Sequence, residues 1–124
     1  MRYLLDTHVL LWALTDDARL DPEARSRIDG AEVFVSAASI WELSIKVALG
    51  KLHCDPRQVL AALEPTGFSM LPVTGEHAAA VCELPMHHRD PFDRLLIIQA
   101  RHERMLLLTA DRTLDAYGRD IELV

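Results

Sequence analysis

The sequence predicts an α/β domain on a mainly parallel sheet of four or five strands, and three observations carry that prediction. Short apolar runs alternate with stretches of helical periodicity along the chain. One run, Val33-Phe34-Val35, is apolar at consecutive positions, the habit of strands buried on both faces in parallel sheets. Leu and Ala supply 35 of the 124 residues, which favours helices between the strands. A chain of this length, 50% hydrophobic, reads as a single domain over residues 1–124 with a real core. It is too apolar for a disordered tail.

Each element has its own signal. Arg2–Leu5 is a short apolar strand that runs into Asp6. From Thr7 to Leu14, Val9, Leu10, Ala13 and Leu14 fall on one helical face. Asp16-Asp17 is a turn, and Asp21-Pro22 opens a helix to about Asp29, with Gly30 as its stop. Glu32–Val35 is the second strand. Ser36 caps a helix over about Ala37–Leu49, ended by Gly50. Asp55-Pro56 opens another, with Val59, Leu60 and Leu63 on one side. Phe68–Val73 is the third strand and Glu76–Leu84 an Ala-rich helix. Asp90-Pro91 opens a helix to about Arg104. Met105–Leu108 is the fourth strand, Leu114 lies on a short helix, and Ile121–Val124 is a terminal strand.

Composition excludes several classes. No apolar run approaches the roughly 20 residues of a membrane span. Met1-Arg2-Tyr3-Leu4-Leu5 meets Asp6 too early for the apolar core of a signal peptide. Cys54 and Cys82 form no motif and read as buried or bystander thiols, so a reducing cytoplasm is the expected compartment. The net charge of −6 argues against a protein that coats nucleic acid by bulk electrostatics. It does not argue against a nuclease whose acidic pocket holds cations.

In parallel sheets, sites form at the carboxyl ends of the strands. Two strands end in acids: Arg2–Leu5 in Asp6, and Met105–Leu108, through Thr109-Ala110, in Asp111. Glu42 sits two turns into the helix after the second strand, among Ile40, Trp41, Leu43 and Val47. Asp93 lies in the first turn of the helix opened by Pro91, before Leu95-Leu96-Ile97-Ile98. Singly, each has a plainer reading. Asp6 and Asp111 are helix caps, Asp93 meets a helix dipole, and Glu42 pairs with Lys46 four residues on. Asp90 is a cap. Together, carboxylates on one edge would repel and raise one another's pKa unless cations joined them. Oxygen-only sets suit Mg2+ or Mn2+, one ion or two, and such sites suit phosphodiester hydrolysis by an activated water.

Leu4-Leu5-Asp6-Thr7-His8, Ser36-x-x-Ser39-x-Trp41-Glu42, Asp90-Pro91-Phe92-Asp93-Arg94-Leu95-Leu96 and Leu108-Thr109-Ala110-Asp111 resemble the four acidic motifs of PIN domains, in order and across the whole chain. With Gly50-Lys51-Leu52, the set is most similar to the VapC-type ribonuclease toxins of prokaryotic toxin–antitoxin pairs. The resemblance implies a PIN-like α/β/α sandwich and a Mg2+- or Mn2+-dependent endoribonuclease. It places the metal and catalytic roles on Asp6, Glu42, Asp93 and Asp111, with Thr7, Ser36 and Thr109 as supporting polar residues. It also implies an RNA substrate, a homodimer, and a cognate antitoxin that inserts a segment into the acidic groove. A non-catalytic interaction module on the same fold is the alternative. A phospho-accepting signalling domain is disfavoured, because no Lys follows Met105–Leu108.

Other residues carry weaker signals. Lys46 and Arg94 are candidate phosphate contacts, though each also balances a neighbouring acid. His87-His88-Arg89 reads as a solvated loop rather than an RNA or transition-metal site. His8 follows Asp6 but has no partner at ligand spacing. Trp12 and Trp41 read as core or dimer packing rather than base-stacking platforms.

Overall fold

The computed structural model describes residues 1–124. Five strands form one wholly parallel sheet: β1 (Arg2–Leu5), β2 (Glu32–Ser36), β3 (Phe68–Leu71), β4 (Leu106–Thr109) and β5 (Ile121–Leu123). Their spatial order is β3-β2-β1-β4-β5. Chain order therefore reverses between β1 and β4, the switch point where doubly wound sheets open a crevice at their carboxyl edge. The connecting helices are α1 (Thr7–Thr15), α2 (Pro22–Asp29), α3 (Ala37–Ala48), α4 (Pro56–Thr66), α5 (Gly75–Ala80) and α6 (Pro91–Glu103). Tight 3₁₀ turns occupy Val81–Glu83 and Arg112–Tyr117.

Alternation along the strands builds two cores. Leu4 and Leu107 face one side, where α6 presents Leu96, Ile97 and Ala100 and α5 presents Ala80. Tyr3, Leu5 and Leu108 face the other, against Val9 and Leu10 of α1, Ala24 and Ile28 of α2, and Leu63 of α4. Those faces make the α/β/α sandwich. Leu5, Leu108 and Ile97 are fully buried, each contributing about 1.5–3 kcal/mol of burial. Helix α3 packs against α1, α4 and α6, which carries its buried face, Ala38, Ser39, Glu42 and Leu43, toward the crevice.

Local chemistry explains the boundaries. Strand β3 stops at Leu71, short of the expected Val73, because Pro72 has no N–H to give to a ladder. The stretch expected as one helix to Leu84 is α5 followed by a 3₁₀ turn. Gly50 follows α3 at φ 72, a conformation that would strain any side chain. Asp90 caps α6 as expected, its Oδ1 accepting from the amides of Phe92 at 2.8 Å and Asp93 at 3.1 Å. Asp90→Ala should cost about 1 kcal/mol, read as a lower thermal midpoint. An unchanged midpoint would show that the cap contributes nothing.

Of the two packings expected for Trp41, core or dimer, the core is not one it joins. It is 62% exposed, because the buried stripe of α3 turns it outward. Its ring instead meets Phe92 edge-on, with centroids 5.2 Å apart. Trp12 is half-buried beside His8 and beneath the Arg19 guanidinium. Both cysteines are free thiols, Cys82 exposed and Cys54 partly so. No helix is long and apolar enough to cross a membrane.

Candidate active site at the carboxyl edge of the sheet

Strand register assembles the centre of the site. Leu5 pairs with Val35 on β2 and Leu108 on β4, so the next residues, Asp6, Ser36 and Thr109, line one edge side by side. The Asp6 amide continues the ladder, donating to Leu108 C=O at 3.1 Å. Its carboxylate is buried, only the residue's outer 5% being exposed. Oδ1 accepts from Val9 N at 2.8 Å and so caps α1. Oδ2 accepts from the Thr109 hydroxyl, which in turn accepts from Asp111 N at 3.0 Å. Capping and the Thr109 bond together hold this carboxylate in one orientation at the edge of the crevice.

Glu42 is buried on α3, with both oxygens held. Thr7 Oγ1 donates to Oε1 at 2.7 Å, and Lys46 Nζ lies 2.8 Å from Oε2. The expected pair with Lys46 thus forms, and Thr7 orients the same acid. Ser36 acts one step back: its Oγ accepts from Ala38 N at 3.0 Å and starts the helix that carries Glu42. Ser39 Oγ, on the buried face of that helix with Glu42, is buried without a hydrogen-bond partner.

Asp93 and Asp111 complete the edge. Asp93 Oδ2 accepts from His88 Nε2 at 2.8 Å. Asp111 caps the 3₁₀ turn, and both its hydrogen bonds from Thr113, at 3.0 and 2.6 Å, go to Oδ1. One potential ligand atom from each of His88, Asp93 and Asp111 lies within 4.8 Å of the other two.

The charges in this crevice are strained. Burial raises the Asp6 pKa above the ordinary carboxylate value, and neighbouring Glu42 adds to the rise. Hydrogen bonds from Thr109 and Val9 act in the opposite direction. Asp93 is pushed up to about 6 by burial, then by Asp90 and, to a smaller extent, Asp6, against the pull of His88. Asp111 is lowered, first by the Thr113 hydrogen bond, with help from His88 and His8. Neither Asp6 nor Asp93 has a Lys or Arg partner.

The raised pKa of Asp93 makes the stability of the fold depend on pH. A carboxyl whose folded pKa exceeds its unfolded one stabilises the fold fully below the unfolded pKa. That contribution is lost as pH rises through the folded value of about 6. Without metal, Asp93→Asn should therefore stabilise the protein at pH 8 by about 1–2 kcal/mol, after discounting for partial exposure. The gain should vanish near pH 4. Urea unfolding in chelator at both pH values checks this, and a lower midpoint for the variant at pH 8 would contradict it.

Two sequence readings need correction. Arg94 is not a phosphate contact. It is 6% exposed, and its guanidinium is consumed by the carbonyls of Val81, Leu84, Pro85 and His88 and by Tyr117 Oη, at 3.0–3.3 Å. The helix turns this side chain inward, where only a fully bonded charge is tolerated. His88 is not free in a solvated loop either. Tyr117 Oη accepts its amide proton at 2.9 Å, and its ring packs onto Asp93. Tyr117 itself carried no sequence signal, because its role is to meet a loop 29 residues away. Lys46 stays partly exposed and lines a cleft of about 270 Å³ with Thr7, His8 and Lys51.

The comparisons agree with this architecture. The PIN domain family profile matches residues 3–120. A chain of VapBC2 from Rickettsia felis, solved bound to a DNA fragment from their promoter, superposes with a TM-score of 0.71 at 15% identity, covering 100% of this chain and 98% of that one. A toxin–antitoxin complex from Klebsiella pneumoniae gives 0.67 at 17% identity, with 97% and 95% covered. FitAcB from Neisseria gonorrhoeae gives 0.62 at 22%, with 98% and 95% covered. No curated protein matches in sequence. With the profile spanning nearly the whole chain and the acids gathered at the switch point of its sheet, the protein belongs to the PIN domain family.

Proposed function

We propose that this protein is a Mg2+- or Mn2+-dependent endoribonuclease and acts as the toxin of a toxin–antitoxin pair. The observation that carries the reading is the convergence of buried or half-buried acids on one edge with too little positive charge to hold them. Asp6 and Asp93 both have raised pKa values and no Lys or Arg partner. The donor set fits a hard divalent cation: mostly carboxylate oxygens, with an unpartnered buried hydroxyl at Ser39 on the same helix face as Glu42.

Asp6, Glu42, Asp93 and Asp111 would hold the cation, as one ion or two. When bound, it would supply an acidified water as nucleophile and offset charge on the scissile phosphate. The protein's own residues do the rest. Thr109 fixes Asp6 and passes a hydrogen bond on to Asp111. Thr7 and Lys46 hold Glu42 in place. Lys46 exchanges part of its pair with Glu42 for a phosphate oxygen of the RNA in the cleft. The four acids account for most of the net charge of −6, so the acidity marks the site rather than a surface that repels RNA.

The partners follow from the same groove. A basic antitoxin segment would neutralise it where cation and phosphate belong, and a toxin–antitoxin complex stands among the similar folds. A homodimer in the cytoplasm completes the proposal. The test is expression in a bacterium, with metal binding measured on the purified protein. Growth arrest relieved by Asp6→Asn, with Mn2+ uptake by calorimetry, is the expected result. Absence of specific metal uptake would leave a non-catalytic module and end the nuclease reading.

A further inference from the structure

Resting on the divalent-cation reading above, we propose that His88 is itself a ligand. It would supply an imidazole nitrogen to the ion held by Asp93 and Asp111 and turn the site from Mg2+ toward first-row transition ions such as Mn2+. The geometry is nearly in place. Donors that share one small cation sit within about 4 Å of one another, and the three here lie within 4.8 Å. His88 Nε2 already points at Asp93, 2.8 Å from Oδ2.

The second observation is the construction behind the ring. Residues between Leu84-Pro85 and Asp90-Pro91 form a loop bounded by two prolines. Buried Arg94 gathers three carbonyls ahead of His88, at Val81, Leu84 and Pro85, and then the His88 carbonyl at 3.3 Å. Tyr117 Oη takes the His88 amide proton and lies 3.3 Å from Arg94 Nη1. A buried guanidinium is costly to desolvate, and here every bond it makes goes to this loop, to the 3₁₀ turn that leads into it, or to Tyr117. The network fixes the backbone of a residue whose ring faces the acids. Such support behind a ligand is what sets metal affinity and orientation.

The chemistry then follows. Carboxylates alone discriminate poorly between Mg2+ and Mn2+, whereas an imidazole favours transition ions. In the metal-free protein, Nε2–H donates to Asp93. A bound ion would take the Nε2 lone pair, and the proton would reside on Nδ1. A histidine that merely orients Asp93 from outside the ion would keep the 2.8 Å hydrogen bond and leave metal preference unchanged.

Calorimetry with Mg2+ and Mn2+, and pulsed electron paramagnetic resonance of bound Mn2+, separate these roles in tag-free, metal-stripped protein. The expected result is a directly coupled ¹⁴N signal in wild type and in His8→Asn that disappears in His88→Ala. His88→Ala should also weaken Mn2+ at least about tenfold and Mg2+ less than about threefold. Circular dichroism confirms the fold of each variant. Bound Mn2+ without a ¹⁴N coupling in wild type, a coupling that survives in His88→Ala, or equal losses for both ions would overturn the ligand role while leaving the nuclease reading intact. Failure of wild type to bind either ion would overturn both.

Discussion

Asp6→Asn should lower RNA cleavage by roughly a thousandfold or more, since several kcal/mol of charge stabilisation go with a lost metal ligand and each ~1.4 kcal/mol is tenfold. The domain should remain folded. The Asn side-chain oxygen can still accept from Val9 N and cap α1. The charge removed is one that burial already penalises. Thr109 must adjust, because its hydroxyl now donates to Asp6 while accepting from Asp111 N. That adjustment carries the change to a second acid. Cleavage of a single-stranded RNA with added Mn2+, beside a thermal melt, measures both halves. Full cleavage by the variant, or undiminished cleavage by wild type in excess chelator, would remove the metal-dependent mechanism.

Arg94→Met should destabilise the protein by about 3–4 kcal/mol, through buried carbonyls left without their donor. Domains of this size are stable by about 5–15 kcal/mol, so the loss is a large share of the total. Arg94→Lys should recover little, because one ammonium cannot reach four carbonyls and a hydroxyl spread around a planar fork. Mn2+ affinity should fall in both variants, since the loop that carries His88 loses its anchor. Urea midpoints and calorimetry give the two readouts. A normal midpoint with a raised KM would instead restore the phosphate contact that the sequence suggested.

The strands and helices were legible because their signals are short-range. Asp21-Pro22, Asp55-Pro56 and Asp90-Pro91 each open a helix where a cap precedes a first-turn proline. Val33 and Val35 are buried on one face, and Phe34 packs, partly buried, against the core on the other, as an apolar run in a parallel sheet requires. Errors of a residue or two fell where a local detail ended a ladder, as Pro72 does after β3. The acids at strand ends were legible for the same reason, since each directly follows an apolar run or opens a helix.

Arg94, His88 and Trp41 show where that legibility stops. Arg94 follows Asp93 directly, so adjacency suggested a shared task. Successive residues on a helix point about 100° apart, and that rotation takes Asp93 to the crevice and Arg94 into the protein. His88 and Tyr117 are 29 residues apart and meet only because the 3₁₀ turn and the loop share the end of β4. Trp41 is apolar in an apolar stretch, yet the side of α3 that is buried was decided by α1, α4 and α6.

By itself, the sequence determined the fold class, the helix caps and the acids that follow strands or open helices, because these rest on propensity, periodicity and the alternation of strand and helix. Only the tertiary structure decided the strand order with its switch point between β1 and β4, and which charges lie inside it. It turned Arg94 from a candidate phosphate contact into a buried staple and His88 from a loop residue into a neighbour of Asp93. The physical reason is that a buried charge must find partners in space, and those partners, four carbonyls for Arg94 and a carboxylate for His88, come from chain segments that only packing brings together.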